Sequence, residues 1–190
     1  MFSYIFDIGG VLMKYDSSEV AEILSELTKC DYTVINQLFG HELLYQVESG
    51  RISCADFYSR YIKQAMPGLS YEGWIDVFTS HYTPNPQGLE LLRHLKENGR
   101  KVYILSNLAE FHKIAMETKM PDFFGLSAMN FFSYELGWHK PEMQIYEEVC
   151  RRIGEAPQNC IFFDDLGLQM WKARRGRALT AYSSPMTGLS

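Results

Sequence analysis

Polar side chains follow three apolar segments of the chain, each at the point where the segment ends. The segments are 2–6, 102–105 and 160–163, and the residues that follow them are Asp7, then Ser106 and Asn107, then Asp164 and Asp165. Short apolar segments that end in turn-forming residues are typical of buried strands. Because ligands of open parallel sheets bind beyond the carboxyl ends of the strands, we expect these side chains to converge on one site. Lys140, next to Pro141 and after a fourth predicted strand, is expected to join them from the same edge.

The chemistry expected of this set is phosphoryl transfer assisted by a divalent cation. Three carboxylates can hold a hard cation such as Mg2+. The cation and Lys140 would neutralise a phosphate dianion, while the Ser106 hydroxyl and nearby backbone N–H groups would hold its oxygens. Asp7, beside the metal, can then attack phosphorus and form an aspartyl-phosphate. Each residue alone is more often a turn, a cap or a solvated charge, so the prediction depends on their occurring together.

The elements that would position these residues alternate between strands and helices after residue 83. Predicted strands cover 102–105, 128–132, 160–163 and 178–182, and predicted helices cover 86–98, 112–119, 141–153 and 170–175. This alternation predicts an α/β fold, a Rossmann-like parallel sheet with helices on both faces. Residues 16–82 instead show helical periodicity throughout. We therefore predict a core formed by residues 1–15 and 83–190, and a small helical cap, residues 16–82, inserted after the first strand.

Composition and charge narrow the class of protein. The 190 residues are 46% hydrophobic and 22% charged, which favours a packed globular core, and the net charge is -5. An acidic chain is a poor candidate for a nucleic-acid binder, and we interpret the basic residues at 172–177 as a solvated helix end. No apolar segment approaches the ~20 residues of a membrane span. We find no signal peptide, and the four cysteines lack C-x-x-C spacing, so we expect a cytoplasmic protein. We expect it to be a monomer or a weak dimer.

Four motifs resemble those of the haloacid dehalogenase (HAD) superfamily of hydrolases. They are Phe-Asp-Ile-Gly-Gly-Val-Leu at 6–12, Leu-Ser-Asn at 105–107, Lys140-Pro141 after Ser-Tyr-Glu-Leu-Gly at 133–137, and Phe-Phe-Asp-Asp at 162–165. Within the superfamily the chain is most similar to sugar-phosphate phosphatases of the alpha-glucose-1-phosphate phosphatase type. The resemblance implies a Mg2+-dependent phosphatase, with a small phosphorylated metabolite, such as a sugar phosphate, as its substrate.

The resemblance also assigns roles to individual residues. Asp7 would be the nucleophile and a metal ligand, together with Asp164, Asp165 and the backbone carbonyl of Gly9. Ser106, Asn107 and Lys140 would bind the substrate phosphate, and Lys140 would also take part in catalysis. His41 and Tyr45 are weaker candidates for facing the site, whereas Trp138 and His139 are better ones for substrate contact. The aromatic residues of the helical region, including Phe57 and Trp74, are expected to form core.

Two departures from the family pattern leave alternatives open. Most family phosphatases carry a second Asp two residues after the nucleophile, which protonates the leaving group, and here that position is Gly9. Asp16 is a possible but less favoured substitute for the missing acid. The segment 166–169 also departs from the pattern that follows Asp165. The chain could therefore be a binding protein with weakened catalysis, or a 2-haloacid dehalogenase, although the retained pair Asp164 and Asp165 favours phosphate chemistry.

Overall fold

The structure, a computed structural model, describes residues 2–164 and 169–170. Its strands are β1 (Ser3–Phe6), β2 (Met13–Lys14), β3 (Thr83–Pro84), β4 (Lys101–Ser106), β5 (Asn130–Phe132), β6 (Cys160–Phe163) and β7 (Gln169–Met170). Its α-helices are α1 (Ser17–Thr28), α2 (Tyr32–Leu38), α3 (His41–Glu48), α4 (Cys54–Phe57), α5 (Lys63–Ala65), α6 (Tyr71–His81), α7 (Pro86–Glu97), α8 (Glu110–Lys119), α9 (Ser133–Leu136) and α10 (Met143–Ile153). A π-helical turn, Tyr58–Ile62, joins α4 to α5, and short 3-10 helices lie at Phe123–Leu126 and Pro157–Asn159.

The sheet brings the predicted strand ends to one edge. Four parallel strands lie in the order β5–β4–β1–β6, and β7 pairs antiparallel with β6. Phe6, the last residue of β1, lies opposite Ile104 of β4 and Phe163 of β6. Asp7 and Asp164, which follow Phe6 and Phe163, therefore lie side by side at the carboxyl ends of neighbouring strands. The parallel α/β fold predicted from the alternation of elements is confirmed.

Both faces of this sheet are covered by helices. Ile5 belongs to a hydrophobic cluster with Val149 of α10, whereas the next residue, Phe6, belongs to a second cluster with Leu92 of α7 and Phe111 of α8. Successive side chains of a strand point to opposite faces, so this division is the one expected of β1. Burial on both faces explains why the strands read as continuous apolar segments and not as alternating ones.

The helices α1 to α6 form what we call the helical block (Ser17–His81). Four of them, α1, α2, α4 and α6, begin after a side chain that caps the helix. The Asp16 carboxylate accepts from the N–H groups of Ser18 and Glu19, and the Ser53 hydroxyl accepts from Asp56 N at 3.0 Å. Such caps satisfy N–H groups that have no partner within the helix. Ser53 thus acts as the N-cap of α4.

The helical block shares its hydrophobic core with one face of the sheet. The rings of Trp74 and Phe78 on α6 lie 4.7 and 4.8 Å, centroid to centroid, from the ring of Phe111 on α8. The expectation that Phe57 and Trp74 are core residues is confirmed, because both are fully buried. The chain enters and leaves the block through β2 and β3, which pair antiparallel with Met13 opposite Pro84. The position of the block relative to the sheet is therefore held by packing as well as by its connections.

Several sequence predictions fall partly or wholly outside the described residues. Asp165, the predicted strand at 178–182 and the basic residues at 172–177 lie outside them. The predicted helix at 170–175 is not found at its first residue, because Met170 pairs with Ile161 as part of β7. No helix in the described ranges has the length and apolar character that crossing a membrane requires.

Candidate active site

The centre of the site is a buried lysine held between two carboxylates. Lys140 Nζ lies 2.7 Å from Asp7 Oδ2 and 2.9 Å from Asp164 Oδ2. The three side chains are only 11–17% exposed. Burying charges of one sign is costly unless they are paired, so one cation between two anions is a favourable local arrangement. We call these three residues the carboxylate–lysine site.

Backbone hydrogen bonds fix the carboxylates relative to each other. Asp7 N donates to the carbonyl of Phe163 at 2.8 Å, which extends the pairing of β1 and β6 by one residue. Ile8 N donates to Asp7 Oδ1 at 2.7 Å, so one oxygen of Asp7 is held by the backbone and the other faces Lys140. Asp164 follows Phe163 directly. The juxtaposition of Asp7 and Asp164 is thus a direct consequence of strand register.

Burial and charge act in opposite directions on this site. Desolvation raises the pKa of Asp7 above its ordinary range, while the charge and hydrogen bond of Lys140 and a hydrogen bond with Ser106 oppose the rise. Desolvation lowers the pKa of Lys140, but the charges of Asp7 and Asp164 outweigh it and leave that pKa above its ordinary value. The lysine therefore stays charged at neutral pH. Its charge is the main influence that favours the ionised form of Asp7.

Ser106 and Asn107, predicted to bind phosphate, lie at the end of β4 beside the carboxylate–lysine site. Ser106 is buried, and its hydroxyl is close enough to Asp7 to lower the pKa of that carboxyl. Asn107 Oδ1 accepts from Lys140 N at 2.7 Å, and Asn107 Nδ2 donates to the Lys140 carbonyl at 3.0 Å. These two bonds fix the backbone that presents the lysine. The Asn107 side chain is therefore positioned to orient Lys140, and its contact with phosphate stays a prediction.

Residues of α3 contact the loop that carries Lys140. Glu48 Oε2 lies 2.8 Å from His139 Nε2, and Tyr45 donates its hydroxyl proton to Glu142 Oε1 at 2.8 Å. Both Glu48 and His139 are 15% exposed. The sequence suggested Tyr45 and His139 as candidates but not Glu48. The only sequence feature that could have indicated Glu48 is its spacing from Tyr45, because residues three apart share one face of a helix.

A cavity of about 260 Å3 lies between the helical block and the carboxyl edge of the sheet. Its polar lining includes Asp7, Ser106, Asn107 and Glu48, and its apolar and aromatic lining includes Tyr15, Phe39, Leu44, Tyr82 and Leu108. Gly9 also lines the cavity, and a Cβ built on it would meet no atom within 4 Å. Position 9 thus has room for a side chain but supplies none.

The carboxylate oxygens are suitable ligands for Mg2+. Asp7 and Asp164 are hard oxygen donors, and their need for a neighbouring positive charge is shown by the burial of Lys140 between them. Within residues 2–164, no cluster gathers three or more His, Cys, Asp or Glu side chains. The third predicted carboxylate, Asp165, lies outside the described residues. The residues present therefore fit a cation and supply part of its predicted ligand set.

Comparisons with known proteins agree with this geometry. The haloacid dehalogenase-like hydrolase family matches residues 3–167. The sesquiterpene phosphatase astK of Aspergillus oryzae is 31% identical over an alignment of 166 residues that covers 85% of this chain and 79% of that protein.

Two solved structures show the same fold. The HAD family enzyme bt-2542 of Bacteroides thetaiotaomicron, crystallised with magnesium and inorganic phosphate, is 25% identical with a TM-score of 0.72, over 85% of this chain and 83% of its own. A predicted HAD-like family hydrolase of Porphyromonas gingivalis is 20% identical with a TM-score of 0.71, over 85% and 80%. The chain therefore belongs to the haloacid dehalogenase-like hydrolases and is an enzyme of their phosphatase type.

Proposed function

We propose that this enzyme hydrolyses the phosphate ester of a small metabolite, with Mg2+ as cofactor and Asp7 as the nucleophile. The observation that carries the proposal is the carboxylate–lysine site, whose Asp7 lines the cavity. A nucleophilic carboxylate needs a nearby positive charge both to stay ionised and to receive a phosphate dianion. Lys140 meets the first need and contributes to the second.

Each residue of the site has a task in this reaction. Asp7 attacks phosphorus to form the aspartyl-phosphate, and Lys140 neutralises charge that builds up on the phosphoryl oxygens. The Ser106 hydroxyl is close enough to Asp7 to donate to one of those oxygens. Asn107 keeps the Lys140 backbone in place through its two hydrogen bonds.

Magnesium would be held by Asp7, Asp164, Asp165 and the backbone carbonyl of Gly9. When bound, the ion supplies positive charge that screens the phosphate from the carboxylates. The crystallisation of bt-2542 with magnesium and inorganic phosphate supports this choice of cation.

We further propose that the helical block, with residues 16–82 as its limits, acts as the cap that selects the substrate. Tyr15, at the entry to the block, and Phe39 and Leu44, within it, contribute to the cavity that Asp7 also lines. A sugar phosphate is the substrate class suggested by the family resemblance. The apolar lining favours a second class, phosphates of apolar alcohols such as isoprenoids, and the name of the Aspergillus relative agrees with that class.

Phosphate release from a small panel of esters tests the proposal. The panel is glucose 1-phosphate, farnesyl phosphate and p-nitrophenyl phosphate, each with Mg2+ or with EDTA. We expect turnover that requires Mg2+ and is lost in Asp7→Asn, while Asp122→Asn, an exposed aspartate outside the site, retains it. Comparison of the rates with farnesyl phosphate and with glucose 1-phosphate shows which of the two substrate classes the enzyme prefers. Absence of turnover on all three esters by folded protein, or halide release from a 2-haloacid in its place, would overturn the proposal.

A further inference from the structure

The cleavage of an alkyl phosphate requires a proton donor that the carboxylate–lysine site does not contain. The ester oxygen leaves as an alkoxide unless it is protonated as the bond to phosphorus breaks. Asp7 is the nucleophile, and Lys140 is engaged by two carboxylates. Gly9 has no side chain, and Asp16 uses its carboxylate to cap α1. Among the described residues, the remaining candidates are the other groups that line the cavity.

Most titratable groups of the cavity are unsuited to that task. Burial raises the pKa of Tyr15 and of Tyr82 well above that of an ordinary phenol. Burial lowers the pKa of His112 to about 4, so its ring is neutral near pH 7, and the ring is also hydrogen-bonded to the Tyr82 hydroxyl at 2.7 Å. A catalytic acid works best with a pKa near the operating pH. Apart from Asp7, Glu48 is the carboxyl group among the described residues that line this cavity.

We propose that Glu48, paired with His139, is the catalytic residue that donates the proton to the leaving oxygen. This inference rests on the proposed phosphatase function. Glu48 lies on the helical block, and Asp7 lies on the sheet. The two line the same cavity, so a phosphate ester attacked by Asp7 would extend its alcohol part towards Glu48.

The hydrogen bonds of His139 place a mobile proton on this pair. His139 Nδ1 lies 2.7 Å from the Lys140 carbonyl, a distance that favours a hydrogen on Nδ1 because two acceptors repel each other. Asn107 Nδ2 donates to the same carbonyl, which accounts for its closeness to Nδ1. The 2.8 Å contact between Nε2 and Glu48 then needs one further proton, shared by the carboxyl and the ring. Within the described part of the chain, Glu48 Oε1 has no hydrogen-bond partner and is available to the substrate.

The reaction balances with this pair as acid and then as base. As Asp7 attacks phosphorus, the bond to the ester oxygen breaks and its electrons stay on that oxygen. The proton of the Glu48–His139 pair moves to the oxygen, and the alcohol leaves. In the second half, the pair takes a proton from the water that attacks phosphorus. Inorganic phosphate and the Asp7 carboxylate separate, and the pair is protonated again.

The dependence of the rate on the leaving group tests this role. p-Nitrophenolate leaves readily without a proton, whereas the alkoxide of n-hexyl phosphate does not. We expect Glu48→Gln to lower kcat/KM for n-hexyl phosphate by about 100-fold or more, and for p-nitrophenyl phosphate by less than about 10-fold. Gly9→Asp places a carboxyl in the open space beside Asp7 and is expected to restore hexyl phosphate turnover to Glu48→Gln.

Two controls separate proton donation from a structural role. Tyr45→Phe breaks the neighbouring hydrogen bond to Glu142 and is expected to affect both esters equally. Glu42→Gln, on the exposed face of α3, is expected to change neither rate. Equal losses on both esters in Glu48→Gln, or no loss on either, would overturn the inference while leaving the phosphatase intact. Absence of turnover by the wild type on every ester tested would overturn the phosphatase function and this inference with it.

Discussion

Replacement of Lys140 by Met tests the electrostatic reasoning about the site most directly. Lys140 Nζ is 2.7 Å from one oxygen of Asp7 and 2.9 Å from one of Asp164, so those two oxygens are at most about 5.6 Å apart. Without the ammonium group, two buried carboxylates face each other at this separation. With an effective dielectric constant of about 20, their repulsion is about 3 kcal/mol or more before the side chains rearrange.

We therefore expect Lys140→Met to lower the free energy of unfolding by about 3 kcal/mol at pH 7 in EDTA, within the range of ~3–5 kcal/mol usual for broken buried pairs. The loss should depend on pH with a definite sign. Both the repulsion in the variant and the attraction in the wild type disappear when the carboxylates are protonated. The difference between the two proteins should therefore be largest at neutral pH and should shrink towards about pH 4.

Urea unfolding at pH 7, 5.5 and 4, with EDTA and with Mg2+, measures these effects. Mg2+ should stabilise Lys140→Met more than the wild type, because the cation replaces the missing charge between the carboxylates. The matched control is Lys101→Met, which removes an equally short but exposed ion pair with Glu155 and should cost much less stability. The rate of p-nitrophenyl phosphate hydrolysis should fall about 100-fold or more in Lys140→Met but not in Lys101→Met. A loss of stability that is independent of pH, or no larger than that of Lys101→Met, would refute the reasoning.

Three further predictions concern packing and the helical block. Burial lowers the pKa of His112 to about 4, so as the pH falls this side chain is protonated in the unfolded chain before it is protonated in the folded protein. The free energy of unfolding should therefore fall by up to about 3 kcal/mol between pH 6.5 and 4. Urea titrations of His112→Leu should show a weaker pH dependence. In Gly50→Ala the new Cβ would lie 2.3 Å from the Tyr134 carbonyl oxygen at a φ of +70°, so we expect a larger fall in Tm than in Gly99→Ala, which has a similar φ of +69° but open space around it. Equal shifts in Tm would show that the close contact is relieved at no cost. Phe111→Ala should lower the free energy of unfolding by about 3–5 kcal/mol in urea, because that ring joins α8 to the helical block; a loss below 1 kcal/mol would contradict a shared core.

The sequence alone predicted the sheet and the strand-end residues. Segments such as 102–105 and 160–163 are apolar throughout, and in a parallel sheet buried on both faces that pattern has few other interpretations. Once the strands are parallel, the residues that follow them must meet at one edge, so Asp7 and Asp164 could be placed together without coordinates. The helix start at Pro86 was equally local, because proline suits the first turn of a helix.

The tertiary structure decided how the polar side chains are used. Asn107 is predicted to bind phosphate, and the structure adds that its amide is bonded to the backbone of Lys140, 33 residues away. The contact between Glu48 and His139 joins residues 91 positions apart and depends on how α3 packs against the loop before α10. The sequence pattern of a helix indicates which of its faces is apolar, but it does not indicate which distant side chains its polar face will contact. For this reason the sequence determined the fold and the position of Asp7, whereas only the packing of the helical block placed Glu48 at the cavity.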